Sequence, residues 1–299
     1  MRWSRPAGIV GVAAIVCAGL TGAQSHASGP AGNGACVSED SVVQARGGPR
    51  EPDLGQTVED LPASAKGKAG PNFRATVPVY FHVITDGATG SLTNAEIAAQ
   101  IAVLNEDYAG GEGGANTGFR FRLAGVTRTD NADWFTAKPG GNPEYAMKRA
   151  LHAGGPGDLN IYSITSDSLL GWAYLPNIVT QPGRTYIDGV MLNWESVPGA
   201  SDAFAGRYDE GKTATHEVGH WLDLEHTFYR GCSDMGDFVD DTPAEKTPTS
   251  GCPAGKDTCT APGDDPIHNY MDYSYDSCYN QFTPGQAQRM ADAWLLYRA

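Results

Sequence analysis

The residues with the types and spacing to do chemistry lie in one short run, His216-Glu217-Val218-Gly219-His220-Trp221-Leu222-Asp223-Leu224-Glu225-His226. His216 and His220 are four apart. On a helix both imidazoles then share one face, one turn from each other, and both reach a single ion. Neutral imidazole is a good zinc ligand. Glu217 projects beside such an ion, where it can take a proton from a bound water. A chance H-E-x-x-H in a chain of this size is roughly a one-in-a-hundred event. A third histidine at the right distance makes chance rarer still.

His226 sets a geometric condition. Ten residues of continuous helix would carry it about 15 Å beyond His216. To share the ion, the helix must stop near position 223 and the chain must turn back. Glycine is the usual residue for that turn, because the stop needs a left-handed backbone. Here Asp223 occupies it. Aspartate tolerates that conformation better than most residues, at some cost. On this reading Asp223→Gly keeps zinc and keeps or raises stability.

The elements that must hold this run are legible upstream and downstream. Val77 to Ile84 reads as a buried strand. Thr93 and Glu96 form a capping box, and Ile97, Ile101, Leu104 and Tyr108 carry a helix to about Tyr108. Phe119 to Val126 alternates, with Phe119, Phe121 and Leu123 on one face. Asn142 and Pro143 read as cap and first turn of a helix through Met147 and Leu151. Leu159 to Ile164 and Gly189 to Asn193 read as further strands. Thr283 and Pro284 open a last helix through Met290, Trp294 and Tyr297. His82, His152 and His268 lack metal spacing and read as structural or surface residues.

The 299-residue chain carries a formal net charge of −14. That acidity argues against nucleic acid and anionic membrane surfaces as partners. Residues 223 to 276 hold twelve carboxylates against Arg230, Lys246 and Lys256, so nine of the fourteen net negative charges fall there. Crowded carboxylates repel unless solvated or bridged by a hard cation, and calcium takes six to eight oxygens. A solvated acidic surface is the other reading. An acidic cleft would favour basic side chains near a cleaved bond.

Arg2 and Arg5 precede an apolar run, Ala7 to Leu20, followed by Ser25-His26-Ala27. This is a secretory signal pattern with a cut after Ala27, or after Ala23. The run is too short for a membrane span, which needs about 20 residues. Residues 28–72 are rich in Gly, Pro, Ala and charge and read as a linker or a removable pro-segment, with order beginning near Phe73. In an exported chain, Cys232, Cys252, Cys259 and Cys278 form two bridges, with three connectivities open, or alternatively a structural zinc site. Cys36 stands alone in the leader.

The third histidine after H-E-x-x-H resembles the metzincin signature, which normally has glycine where Asp223 stands. Gly211-Lys212-Thr213-Ala214-Thr215, Asp241-Thr242-Pro243, Asn269-Tyr270-Met271-Asp272-Tyr273-Ser274 and Asn280-Gln281-Phe282-Thr283-Pro284-Gly285-Gln286 are similar to the pappalysin family of secreted metalloproteases. The resemblance covers roughly Phe73 to Ala299. It implies that His216, His220 and His226 bind zinc and that Glu217 is general base and then acid. It also implies that Met271 is an apolar floor beneath the metal and that Tyr273 stabilises the oxyanion. It further implies calcium, the pairs Cys232–Cys259 and Cys252–Cys278, and a latency cysteine for which Cys36 is the candidate.

The expected fold is α/β (α+β), a metzincin-like zincin. It has a twisted mixed sheet, an active-site helix and an irregular disulfide-bonded C-terminal lobe ending in a helix. The expected divisions are a signal peptide (1–27), a pro-segment (28–72) and a catalytic domain (73–299), whose upper lobe is about 73–226 and lower lobe about 227–299. The expected activity is secreted zinc-dependent hydrolysis of protein or peptide substrates through a zinc-bound water. The rivals are a secreted zinc-binding protein without turnover and a hydrolase of non-peptide amides. Substrate would lie along an edge strand, with Leu159 to Ile164 and then Leu169 to Ala173 as the candidate rim. The sequence leaves the oligomeric state open.

Overall fold

Strand β1 (Ala75–Thr85) forms at the apolar run. In the computed structural model, which describes Pro52, Leu54 and residues 56–299, it lies inside a five-stranded sheet. The signal-peptide reading, most of the leader and Cys36 fall outside the described residues. β2 (Phe119–Asp130), β3 (Leu159–Ile164), β4 (Gly171–Ala173) and β5 (Val190–Asn193) complete the sheet in the order β2-β1-β3-β5-β4. β1, β2, β3 and β5 run parallel and β4 antiparallel, so the sheet is mixed as expected. β3 is paired on both sides, by β1 and β5. It has no free edge, which corrects that part of the expected rim. The second part, Leu169 to Ala173, contains β4, which is an edge strand of the sheet, as is β2 at the other side.

Side chains alternate across the sheet with period two. Leu159 and Ile161 of β3 face one core with Val77, Val79, Phe81, Val190 and Leu192. Tyr162 and Ile164 face a second core with Met147, Trp172, Tyr174 and Met191. Helices must therefore cover both faces. Helix α1 (Asn94–Tyr108) has the capping box of Thr93 and Glu96, and its Ile97, Leu104 and Tyr108 enter the first core. Helix α2 (Asn142–Leu151) serves the second core through Met147. Its cap is Gly141, not Asn142, and Pro143 lies in its first turn. In β2, Phe119 and Phe121 are buried but Leu123 is exposed. The register slips beside it, with Leu123 opposite Val79 and Gly125 opposite Tyr80, so Ala124 is the extra residue of a bulge.

Helix α3 (Lys212–Trp221) carries the first two histidines, and every one of its residues is buried. Helix α4 (Pro284–Tyr297) closes the chain with the capping box of Thr283 and Gln286. Between them the chain is largely irregular and is bridged by Cys232–Cys259 and Cys252–Cys278, the pairs the resemblance implies. That pairing removes the four-cysteine zinc site. Each bridge closes a loop worth roughly 3 kcal/mol, useful where little apolar sequence is available.

Order begins before Phe73. The Gln56 amide bonds both the N–H and the C=O of Leu175. The amides of Gly67 and Ala69 donate to Asp292 of α4, and Leu61, Ala65 and Ala69 are buried. Composition says only that this stretch could not fold alone, and its few apolar residues are buried by docking on the rest of the chain. Among the described residues no helix is long and apolar enough to cross a membrane.

Candidate active site

Helix α3 is fixed before its chemistry begins. The Lys212 ammonium bonds Asp107 of α1 at 2.7 Å and Glu112 at 2.7 Å. Burial works against that charge, but the two carboxylates hold its pKa above the usual lysine value. Thr215 donates to Asp107 at 2.5 Å, and the Tyr108 hydroxyl donates to the Thr215 carbonyl at 3.0 Å. At the start of α3, where N–H groups lack partners, Asp276 accepts from the amides of Glu210 and Lys212. Burial nevertheless pushes the Asp276 carboxyl up to about 7.

His216 and His220 project from one face of α3. The helix ends at Trp221, and Asp223 follows with φ 80°, in the left-handed region that the third histidine requires. The chain then returns His226. The Nε2 atom of His220 lies 3.2 Å from that of His216 and 3.1 Å from that of His226. Ligands of a tetrahedral zinc with bonds near 2.0 Å stand about 3.3 Å apart, so the donor set fits such an ion.

Two carbonyls set the imidazoles. His216 Nδ1–H donates to the Tyr270 carbonyl at 2.7 Å, and His220 Nδ1–H donates to the Leu224 carbonyl at 2.7 Å. A carbonyl only accepts, so each Nδ1 bears the proton and each Nε2 presents a lone pair to the centre. Burial pushes the His216 pKa down to about 4 and those of His220 and His226 well below the usual value. The three rings are therefore neutral donors.

Glu217 and His216 line one hollow with Leu170, Gly171, Tyr208, Tyr273 and Asp276. A Cβ on Gly171 would stand 2.8 Å from both Cγ and Oε1 of Glu217. Glycine on the edge strand therefore leaves space for this carboxylate. Met271 packs beneath the helix in the same way: a Cβ on Gly219 would stand 2.4 Å from its sulfur. Tyr273 stands with its ring 4.8 Å from that of His226 and 5.7 Å from that of His216. Phe228 stacks on His226 at 4.7 Å and 8°.

The structure thus brings together His216, Glu217, His220, His226 and Tyr273, with Met271 below. His82 is apart from them, bonded to Thr127 and Asn160. Sequence reasoning missed Gly171, Phe228, the two orienting carbonyls and the Asp107–Lys212 lock. Phe228, two residues beyond His226, was the one with a local signal.

The segment 202–294 matches the family model described as pregnancy-associated plasma protein-A. The chain is 48% identical over 231 residues to an extracellular metalloprotease of Arthroderma benhamiae, covering 75% of this chain and 74% of that one. The chain belongs to the pappalysin family of extracellular metalloproteases. It is 44% identical over 255 residues to extracellular metalloprotease 1 of Coccidioides posadasii, covering 83% of this protease and 88% of the relative. Among solved structures, mature mirolysin of Tannerella forsythia with a cleaved peptide superposes with a TM-score of 0.61 at 33% identity, over 74% of this protease and 91% of mirolysin.

Proposed function

We propose that this metalloprotease is a secreted zinc endopeptidase in which His216, His220 and His226 hold the ion and Glu217 moves the proton. The convergence of the three Nε2 atoms, with Glu217 lining one hollow together with His216, carries this reading. When bound, zinc supplies Lewis acidity, lowering the pKa of a coordinated water and polarising the substrate carbonyl. Glu217 accepts a proton from the attacking water as its oxygen bonds the carbonyl carbon. It then delivers that proton to the amine nitrogen as the C–N bond breaks. The Tyr273 hydroxyl donates to the carbonyl oxygen as negative charge develops there.

The free edge of β4 supports a peptide substrate, which would pair with it as an added strand and pass Gly171 on the way to Glu217. The hollow that Glu217 lines has apolar walls from Leu170, Tyr208 and Tyr279, with Lys212 and Asp276 both on it. That chemistry suits a largely apolar side chain. The same reading takes residues 1–27 as an export signal and the leader from residue 28 as a pro-segment, with Cys36 as a latency residue. Cys36→Ser should then give a precursor with premature activity.

Calcium belongs to the same proposal. Asp234, Asp237, Asp240 and Asp241 line one hollow of the C-terminal region with Thr227 and Thr242. The Oδ2 atom of Asp237 is buried there without a hydrogen-bond partner among the described residues. Oxygen donors of that kind and density suit a hard cation.

A casein digest tests the function. The mature protein should cleave it, a chelator should stop cleavage, and zinc should restore it. Glu217→Gln should bind one zinc and lose at least about a hundred-fold in turnover. Turnover in Glu217→Gln close to that of the unaltered protein, or cleavage in metal-free protein, would overturn the assignment.

A further inference from the structure

Asp223 stands where the related signature has glycine, and its φ of 80° is one that glycine adopts without strain. A residue that adds strain at the one turn the site depends on needs a compensating interaction. Arg289 of α4 provides it. Its Nε–H donates to the Asp223 carbonyl at 2.7 Å, and its Nη2 lies 2.7 Å from Asp223 Oδ2. One guanidinium therefore grips both the main chain and the side chain of the turn residue. Its Nη1 bonds Asp60 of the N-terminal stretch at 2.9 Å, and its plane lies over Phe238.

The grip reaches two histidines. Leu224, the next residue, donates its amide to the Gly219 carbonyl at 2.9 Å and accepts Nδ1–H of His220 at 2.7 Å. Two residues later comes His226. The backbone at Asp223 thus sets the carbonyl that orients one imidazole and the return path of another.

We propose that Asp223 and Arg289 are a pair of positioning residues for the metal site, with Asp60 holding the guanidinium from behind. The proposal rests on the zinc reading above. It reverses the expectation that Asp223→Gly is neutral or favourable. Glycine relaxes the turn but leaves a buried guanidinium without its main carboxylate. It also means that Asp60 supports the turn in any form of the chain that retains it.

The test is zinc affinity of the full chain, measured by competition with a chromogenic chelator, with melting of the metal-free forms alongside. Asp223→Asn and Arg289→Met should each raise the zinc Kd about ten-fold, the scale of lost outer-shell support. The double variant should be no worse than the weaker single one. Arg289→Lys keeps charge but loses the fork, and should stay weakened. Asp223→Gly placed in Arg289→Met should bring the Kd back toward wild type, because glycine holds the turn without a clamp. A role in stability alone would lower the melting temperatures and leave Kd unchanged, and that result overturns the proposal. So does a failure of glycine to restore affinity. If Arg289→Met does not fold, Arg289→Lys and Asp223→Asn decide between the same two results. A wild-type chain that takes up no zinc would overturn the functional reading itself, whereas normal uptake unaffected by the variants would overturn only the pairing.

Discussion

At the scale of single residues, the site divides into side chains that react and glycines that make room for them. Gly171→Ala places a methyl 2.8 Å from Glu217 and 2.8 Å from the Met191 carbonyl, so the carboxylate must move. A displacement near 1 Å costs about a hundred-fold in rate. The expected result is a kcat loss of that order with zinc still bound, read by steady-state kinetics and metal analysis. Gly219→Ala meets the Met271 sulfur instead, in a fully buried floor. Its cost should be roughly 1–3 kcal/mol of overpacking, only partly offset by alanine's better helix propensity of about 1 kcal/mol. A lowered denaturant midpoint would show it. His216, Glu217 and His220 were legible because helical spacing puts them together, and His226 because sharing an ion with them demands the turn that Asp223 makes. The two glycines were not, because their meaning lies in Glu217 and Met271 approaching from elsewhere in the fold.

Local signals were readable to the degree that they were local. Thr93 with Glu96 forms the reciprocal cap that spacing predicts, and Thr283, read with Pro284 as a helix start, forms a second one with Gln286. Thr283→Ala should therefore cost about 1 kcal/mol, measured by urea unfolding. Asn142 failed as a cap because the turn at Gly141 begins one residue earlier. The expected rim joined Leu159 to Ile164 with Leu169 to Ala173, and only the second part is an edge strand, because strand order is a property of the whole sheet. The stretch 56–72 has no periodicity, yet its amides and Asp60 reach α4. A chain beginning at Phe73 should melt below one beginning at Gln56, a difference that calorimetry would resolve.

For the whole molecule, charge and burial pull against each other in the C-terminal region. Burial pushes the carboxyl of Asp237 up to about 7 and that of Glu245 to about 6. A carboxyl raised in this way adds stability below its unfolded value near 3.8, and loses that contribution as pH rises through its folded value. In the presence of a chelator, the urea midpoint should fall between about pH 4 and about pH 7, and Asp237→Asn should flatten the fall. Added calcium should raise the midpoint most at the alkaline end, where the carboxylates are ionised.

The buried pair Glu144–Lys148 belongs to the second core, at 2.9 Å with both side chains at 0% exposure. Glu144 receives the indole N–H of Trp172 at 3.1 Å, and Trp172 follows Gly171 in β4. The ledge on which a peptide would lie is thus braced from the reverse side of the sheet, by atoms that never meet the reacting bond. Natural variation in that rear compartment should register as altered KM across substrates, with turnover number and zinc affinity left alone.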